Sequence, residues 1–357
     1  MIGWKRLSWH RVRESNMSNV TIIAEAGVNH NGDVDRALEM VDVAADAGAD
    51  AVKFQTFSTD LLVSASAPTA AYQQSAVGVA RQEQMLRGLE LTRAAHHRIV
   101  ERCVLRGIEF MSTPFDWGAA EFLVSIGMSR VKVPSGELTN DGFLRRLAGL
   151  GLPLIVSTGM ATLEEVRHAM GIIEQQSRRE RTSEPSVVLL HCTSNYPAAP
   201  ADVNLRAMRT MADSLGVPVG YSDHTLGINA AVAAAALGAV VIEKHFTLDR
   251  SLPGPDHAAS LEPDGLRALV AAIREVESML GSPDKRPSAS ELPIRDVARR
   301  SVAAARSLCS GQQLTGDDLT CLRPGNGIPP GELQSLIGRT ILRDVGEGTL
   351  LSREWIG

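Results

Sequence analysis

The chain has 357 residues, 44% hydrophobic and 22% charged, which excludes a disordered polymer and leaves room for one large domain plus a small one. A net charge of −5, a pI near 6.0 and 4% aromatic residues argue against broad nucleic-acid binding and against a stacking platform for single strands. The longest apolar run, Ala230 to Ile242, falls short of the about 18–20 residues that cross a bilayer, so no membrane partner is expected.

In chain order, residues 1–16 come first. Lys5, Arg6, Arg11 and Arg13 stand beside Trp4 and Trp9 with no continuous apolar core after them, so the segment is not a secretory signal. It reads as a disordered leader, with Met17 as the natural start, because Val20-Thr21-Ile22-Ile23 follows as a strand. From there to about residue 280, β-branched runs alternate with segments of helical period. The runs are 20–26, 51–56, 108–113, 130–134, 153–158, 187–192, 217–221 and 240–245. In the first helical segment Val34, Ala37, Leu38, Val41, Ala44 and Ala45 trace one face, with Asp33 at its start and Gly48 at its end. Thr162-Leu163-Glu164-Glu165 has the pattern of a capping box. Further helices are expected near 92–106, 118–126, 141–149, 203–215, 227–238 and 263–280. Eight strand–helix repeats predict an α/β fold, a (β/α)8 TIM barrel over 17–281, against the competing open doubly wound sheet, whose glycine fingerprint after the first strand is missing. The 57–91 segment is long for a βα loop and reads as functional or disordered. Ser282-Pro283-Asp284-Lys285-Arg286-Pro287-Ser288 opens a linker over 282–296, and 297–357 reads as a small domain with short strands and Gly/Pro turns.

The active site of such a barrel lies at the C-terminal ends of its strands. Those ends carry Glu25; Lys53 and Gln55; Ser112, Thr113 and Phe115; Lys132, Ser135 and Glu137; Ser157-Thr158-Gly159; His191 to Tyr196; Ser222 to Thr225; and Glu243-Lys244-His245. Charged residues within β-runs are costly unless they face a ligand or a partner. Lys53 and Gln55 share a face, as do Glu243 and His245, whereas Lys244 has the opposite parity. Lysines Lys53, Lys132 and Lys244, with hydroxyls and glycine-flanked amides, suit a phosphate. His224 and His245 end neighbouring strands and suit a divalent metal with open positions: Mn²⁺, Co²⁺ or Mg²⁺, with Zn²⁺ still open. His96, His97 and His168 fall in predicted helices and read as surface residues, while His30 and His257 fall in strand-end loops where substrate contact is expected. The four cysteines, Cys103, Cys192, Cys309 and Cys321, form no CxxC pair and read as reduced thiols of a cytoplasmic protein. The residues alone point to metal-assisted carbon–carbon bond chemistry on a phosphate-bearing substrate.

The strings Ala24-Glu25-Ala26-Gly27-Val28-Asn29-His30-Asn31-Gly32, Val52-Lys53-Phe54-Gln55-Thr56, Ser112-Thr113-Pro114-Phe115, Ser157-Thr158-Gly159-Met160, His191-Cys192-Thr193, Tyr221-Ser222-Asp223-His224-Thr225, Ile242-Glu243-Lys244-His245-Phe246, Pro253-Gly254-Pro255-Asp256-His257 and Arg323-Pro324-Gly325-Asn326-Gly327 resemble the sialic acid synthases, in order over about residues 20–357. The resemblance implies a barrel followed by a small β-rich antifreeze-like (SAF) domain, and a domain-swapped homodimer in which that domain covers the partner's site. It implies condensation of phosphoenolpyruvate with an N-acylated hexosamine and water, giving a nine-carbon acid and phosphate. N-acetylmannosamine is the expected sugar, with legionaminate or pseudaminate precursors as the alternative, and the 57–91 loop, including Tyr72 and Gln73, is expected to help choose among them. By the same resemblance Glu25, Lys53, Lys132, His224 and Glu243 are catalytic, and His224 and His245 hold the metal, with Mn²⁺ first. Lys132, Ser135, Ser157 and Ser222 contact phosphoenolpyruvate, with Lys53 and Thr113 nearby. Gln55, Phe115, Glu137, Tyr196, Asp256 and Arg323 fall on the substrate side. Ser194 stands where some members have Asn. Two rival readings remain: a Schiff-base aldolase using a strand-end lysine, and a non-catalytic sugar-binding protein.

Overall fold

A computed structural model describes residues 19–64, 81–180 and 186–357; the leader 1–16, Met17 and the loop residues Tyr72 and Gln73 lie outside the described residues. Eight strands appear where the β-branched runs predict them: β1 (Thr21–Gly27), β2 (Ala51–Thr56), β3 (Glu109–Pro114), β4 (Val131–Val133), β5 (Leu154–Ser157), β6 (Val187–Cys192), β7 (Val219–Asp223) and β8 (Val241–His245). They form one sheet in the order β3-β2-β1-β8-β7-β6-β5-β4, with every ladder parallel. β3 and β4 are neighbours and close it into a barrel, and Glu109 bridges that seam by accepting from Arg130 Nε at 2.8 Å and from the Ser129 hydroxyl at 2.9 Å. The doubly wound alternative is excluded.

Helix ends follow the local chemistry. Helix Val34–Asp46 starts where the Asp33 carboxylate accepts from the N–H groups of Asp35 and Arg36, and it buries Ala37, Leu38, Met40, Val41 and Ala44. Helix Leu163–Glu180 opens on the expected capping box: the Thr162 N–H donates to Glu165 Oε2 at 2.7 Å, and the Glu165 N–H donates to Thr162 Oγ1 at 3.3 Å. The 57–91 segment carries two short helices, Thr59–Leu62 and Gln82–Arg87, in its described part.

Apolar burial divides into two layers. Outward strand residues such as Val52, Phe54, Val156 and Leu189 pack on the helices. Inside the barrel, Ile23, Ala51, Met111, Ile155, Val188, Leu190 and Val241 fill the lower floor. Gly220 on β7 lets the strands meet there: a Cβ at that position would lie 2.7 Å from Leu190 Cδ2 and 2.9 Å from Val241 Cβ, and would strike the Val241 backbone. Gly220→Ala is expected to destabilise the protein by about 1–3 kcal/mol, read as a lowered urea midpoint; an unchanged midpoint would contradict this packing.

Residues Ser282–Gly357 form a second unit. The stretch read as a linker is shorter than expected, because helix Glu291–Ala298 begins inside it; the Pro/Ser-rich composition before it hid that start. β9 (Ser301–Ala304) pairs antiparallel with β10 (Leu319–Leu322), and isolated bridges such as Leu308 to Val345 and Gln313 to Thr340 continue the β character. The unit has its own apolar core, including Val302, Leu314, Leu319 and Ile341. Arg323 follows β10 and is exposed.

Candidate active site

Above the apolar floor the inward positions of the barrel become polar. β1 and β8 run in register, so that Ile23 lies beside Glu243 and Glu25 beside His245. The β1–β2 register shifts between Glu25 and Gly27, where Gly27 takes φ +53°. A Cβ there would come within 3.4 Å of Gln55 Nε2, Glu25 Oε1 and His245 Cε1, so glycine brings the backbone close to the site.

Four buried charges form the centre. Lys53 Nζ lies 2.5 Å from Glu25 Oε2 and 3.5 Å from Glu243 Oε2, and Lys132 Nζ lies 3.3 Å from Glu243 Oε1. Two cations and two carboxylates balance, which is how such charges can be buried at all. Lys53 also donates to Thr113 Oγ1 at 3.0 Å, the Ser222 hydroxyl to Glu243 Oε1 at 3.0 Å and Gln55 Nε2 to Glu25 Oε1 at 3.3 Å. The carboxylates are not equivalent. Burial raises both, but Lys132 and Lys53 together overcome it at Glu243 and hold that group at about 2. At Glu25 burial prevails over Lys53, Glu243 adds repulsion, and the carboxyl is pushed up to about 7. Burial presses both ammonium groups down; at Lys53 the two glutamates outweigh it and hold the group above the ordinary lysine value, whereas Lys132 stays lowered. Glu25 is therefore the member of the cluster suited to exchanging a proton near neutrality.

Beside this cluster the strand ends of β4 to β6 leave a small polar cradle. The Gly159 N–H donates to Ser135 Oγ at 3.0 Å, and Ser135 Oγ lies 3.2 Å from Cys192 Sγ. A Cβ on Gly159 would run into Ser194 Oγ and would approach Ser135 Oγ at 2.8 Å and Cys192 Sγ at 2.9 Å. The Ser157 hydroxyl is buried and has no hydrogen-bond partner, so it keeps a donor for a ligand.

At the ends of β7 and β8, next to the segment after β6, His224 and His245 converge. His224 Nδ1 donates to the Thr193 carbonyl at 2.7 Å, which leaves the Nε2 lone pair facing inward. The Tyr196 hydroxyl lies 2.6 Å from His224 Nε2 and 2.8 Å from His245 Nε2, so both nitrogens aim at one point. Burial lowers both imidazoles, His224 to about 4, and keeps them neutral as metal ligands must be. His245 Nδ1 is buried without a hydrogen bond, 3.8 Å from Asp256 Oδ2, and burial pushes that carboxyl up to about 6. The pair fits a divalent ion held by two protein nitrogens; among the described residues no group of three or more His, Cys, Asp or Glu gathers around a point.

The other expected residues fall as follows. Phe115 stacks edge-on against Phe57 in an apolar wall with Val28, Met85, Leu86 and Leu89, beneath the loop after β2. Glu137 sits in the short turn after β4 and accepts from Asn140 Nδ2 at 2.7 Å. Arg323 belongs to the second unit. Lys244 does not join the other lysines: its parity turns it away from the barrel interior, onto Asp223 at 2.9 Å. His96 is not a surface residue. It is buried, with Nε2 2.8 Å from Thr56 Oγ1 and Nδ1 2.9 Å from the Thr92 carbonyl, anchoring its helix to β2; His97 and His168 are exposed. His257 and His30 are buried in loop scaffolding, His257 against Thr247 Oγ1 at 2.6 Å and Asn31 Oδ1 at 3.2 Å, and His30 Nδ1 accepting from the Gly32 N–H at 3.0 Å. The Cys192 thiol, read from the sequence as a reduced thiol with no role in the site, also faces inward, as the parity of β6 with Leu190 in the barrel floor could have shown. Nothing in the sequence marks the Thr193 carbonyl.

Residues 40–285 match the NeuB family and residues 299–354 the SAF domain. A protein of Legionella pneumophila named N,N'-diacetyllegionaminic acid synthase is 48% identical over 353 residues, covering 99% of this chain and 98% of that one. A Campylobacter jejuni protein of the same name is 40% identical, covering 94% and 99%. The crystal structure of an N-acetylneuraminic acid (sialic acid) synthetase from Leptospira borgpetersenii superposes with a TM-score of 0.68 at 35% identity, covering 78% of this chain and 90% of that one.

Proposed function

The chain belongs to the NeuB family, and from that premise we propose that it condenses phosphoenolpyruvate with an open-chain acylated amino sugar and water, releasing phosphate and a nine-carbon sugar acid. The observation that carries this reading is the balanced cluster of Glu25, Lys53, Glu243 and Lys132, together with a hydroxyl-and-amide cradle and a converging histidine pair at neighbouring strand ends. Of the two sugar readings, N-acetylmannosamine and the legionaminate precursor, the second has the better support, because relatives at 48% and 40% identity carry that name. A diacetylated nine-carbon acid, less the three carbons of phosphoenolpyruvate, leaves a six-carbon sugar with two acetamido groups.

In this reading Ser135, Ser157, Ser194 and the Gly159 N–H bind the phosphate, and Lys132, with Ser222 and Thr113, faces the carboxylate. C3 of phosphoenolpyruvate bonds to the aldehyde carbon, whose oxygen takes up a proton. Water adds at C2 and gives its proton to Glu25, oriented by Gln55 and Lys53. The C2–O bond to phosphate then breaks, its electrons leave with phosphate, and the C2 hydroxyl releases its proton, taken up by the departing phosphate, to give the ketone. Lys53 and Lys132 stabilise the charge that moves between these centres. His224 and His245 would hold a divalent ion, Mn²⁺ before Co²⁺ or Mg²⁺, which would supply Lewis-acid polarisation to the sugar. Tyr196, Asp256, Glu137 and Phe115 surround the sugar. A homodimer exchanging SAF domains would supply Arg323 to the N-acyl group, as the resemblance to the sialic acid synthases implies. The described residues include no helix long and apolar enough to cross a membrane.

Phosphoenolpyruvate labelled with ¹⁸O at the bridging oxygen tests the chemistry: the label is expected in phosphate, and its retention in the sugar acid would overturn the assignment. Borohydride in the presence of substrate is expected to trap no adduct, against a Schiff-base aldolase. Gly159→Ala, which fills the cradle, is expected to raise KM for phosphoenolpyruvate by about tenfold or more, with a smaller change in KM for the sugar. An unchanged KM would remove Gly159 from the phosphate site.

A further inference from the structure

Within the two strings that supply the histidines, the residues without a task are those turned away from the site. Ser222 and Glu243 are register partners facing inward, and Asp223 and Lys244 are register partners facing the helix layer. The Asp223 and Lys244 side chains are 0% and 1% exposed and meet at 2.9 Å. Asp223 Oδ1 accepts from the Thr225 N–H at 2.9 Å and from the Thr225 hydroxyl at 2.8 Å, closing a turn around His224. Lys244 Nζ also donates to the Thr225 carbonyl, and the Tyr221 hydroxyl donates to Asp223 at 3.4 Å. Thus the backbone on both sides of His224 is tied to the residue that stands between Glu243 and His245.

A buried ion pair is poor value for stability alone, since apolar residues of similar size commonly do as well. Other strands follow that course, with Phe54, Val133, Val156 and Leu189 in the outward layer. What an ion pair with directed hydrogen bonds adds is geometry, and a site's side chains tolerate only about 0.5 Å of misplacement. We propose that Asp223 and Lys244 are positioning residues that lock the ends of β7 and β8 so that His224 and His245 converge on one point. The inference rests on the reading of the histidine pair as a metal site.

Lys244→Met alone would strand a buried carboxylate, so the decisive protein is the full-length double variant Asp223→Asn/Lys244→Met, which removes both charges and keeps an acceptor for the Thr225 N–H. Free Mn²⁺ is followed by electron paramagnetic resonance in a titration of the metal-stripped protein, together with kcat, KM for phosphoenolpyruvate and thermal unfolding. The expected result is a folded protein whose Mn²⁺ Kd is about 10–100-fold weaker and whose kcat falls about tenfold or more, with KM for phosphoenolpyruvate within about threefold of the parent. A folded double variant with parental Kd and kcat overturns the proposal, whatever its melting temperature. Should the double variant not fold, Thr225→Val, which leaves the ion pair intact, is expected to weaken Mn²⁺ by about threefold or more; a folded Thr225→Val protein with parental Kd overturns it equally. If the parent releases phosphate but takes up no Mn²⁺, the metal reading fails, and the split between kcat and KM decides the positioning claim. If the parent binds Mn²⁺ but has no synthase activity, the functional reading fails and the Mn²⁺ titration still decides it.

Discussion

Glu25→Gln is expected to lower kcat by about a thousandfold while the protein stays folded, because it removes the one carboxyl of the cluster placed to take a proton and leaves a neutral group of the same shape. Gln keeps an acceptor for Gln55, and Lys53 retains Glu243 at 3.5 Å, but the 2.5 Å Lys53–Glu25 pair is lost and one buried cation is left without its partner, so thermal unfolding is followed beside kcat. The sign of the pH effect follows from the environment. Burial raises the Glu25 carboxyl to about 7, so it is ionised, and able to act as a base, only above that pH. The rate is expected to fall as pH drops through an apparent value near 7, which belongs to the coupled cluster of Glu25, Lys53, Glu243 and Lys132. In Glu25→Gln that acidic limb should vanish from the residual activity. A variant with parental kcat and an unchanged pH profile would remove Glu25 from the chemistry.

The second large effect is expected at the histidines. His245→Ala removes one of two nitrogens that face a single point, 2.8 Å from the Tyr196 hydroxyl. Lewis-acid assistance contributes several kcal/mol, so loss of the ion is expected to lower kcat by at least about a hundredfold. The variant should remain folded, since His245 is not part of the apolar floor of the barrel and that floor stays intact. In the parent, EDTA should abolish turnover and Mn²⁺ restore it; in His245→Ala, Mn²⁺ at ordinary concentrations should restore little. Near-parental turnover in His245→Ala, or full activity in EDTA, would reject the metal role of the pair.

The fold was legible in the sequence because most barrel strands are short apolar runs rich in β-branched residues and they alternate with longer segments of helical period, some of them capped, as Asp33 and Thr162 illustrate. The central cluster was legible because a two-residue period tells which side chains share the interior: Lys53 with Gln55, and Glu243 with His245. The same period set Lys244 apart, and its partner Asp223 lies at the matching outward place on β7. What the sequence could not give depends on distances across the barrel. Nothing local distinguishes Glu25 from Glu243; their different acidities arise because Glu243 touches both lysines and Glu25 touches one. Gly159 is marked by the sequence as a glycine-flanked amide at a strand end, but only the side chains around it, from the ends of β4 and β6, show that a methyl group has no room. His96 looked exposed on a helix because its polar partner, Thr56, comes from a strand 40 residues earlier. Helix Glu291–Ala298 went unread because its start is embedded in linker-like composition.

The central claim is that this barrel joins phosphoenolpyruvate to an acylated amino sugar, with the diacetamido six-carbon sugar preferred. Initial rates of phosphate release with Mn²⁺ and phosphoenolpyruvate, compared between that sugar and N-acetylmannosamine, test it most directly. The account predicts no release without sugar, and a kcat/KM about tenfold or more higher for the diacetamido sugar, because a site built to hydrogen-bond a second acetamido group leaves its own polar groups unpaired when that group is missing. Equal release with and without sugar would contradict the condensation itself, and a preference for N-acetylmannosamine would contradict the assigned substrate.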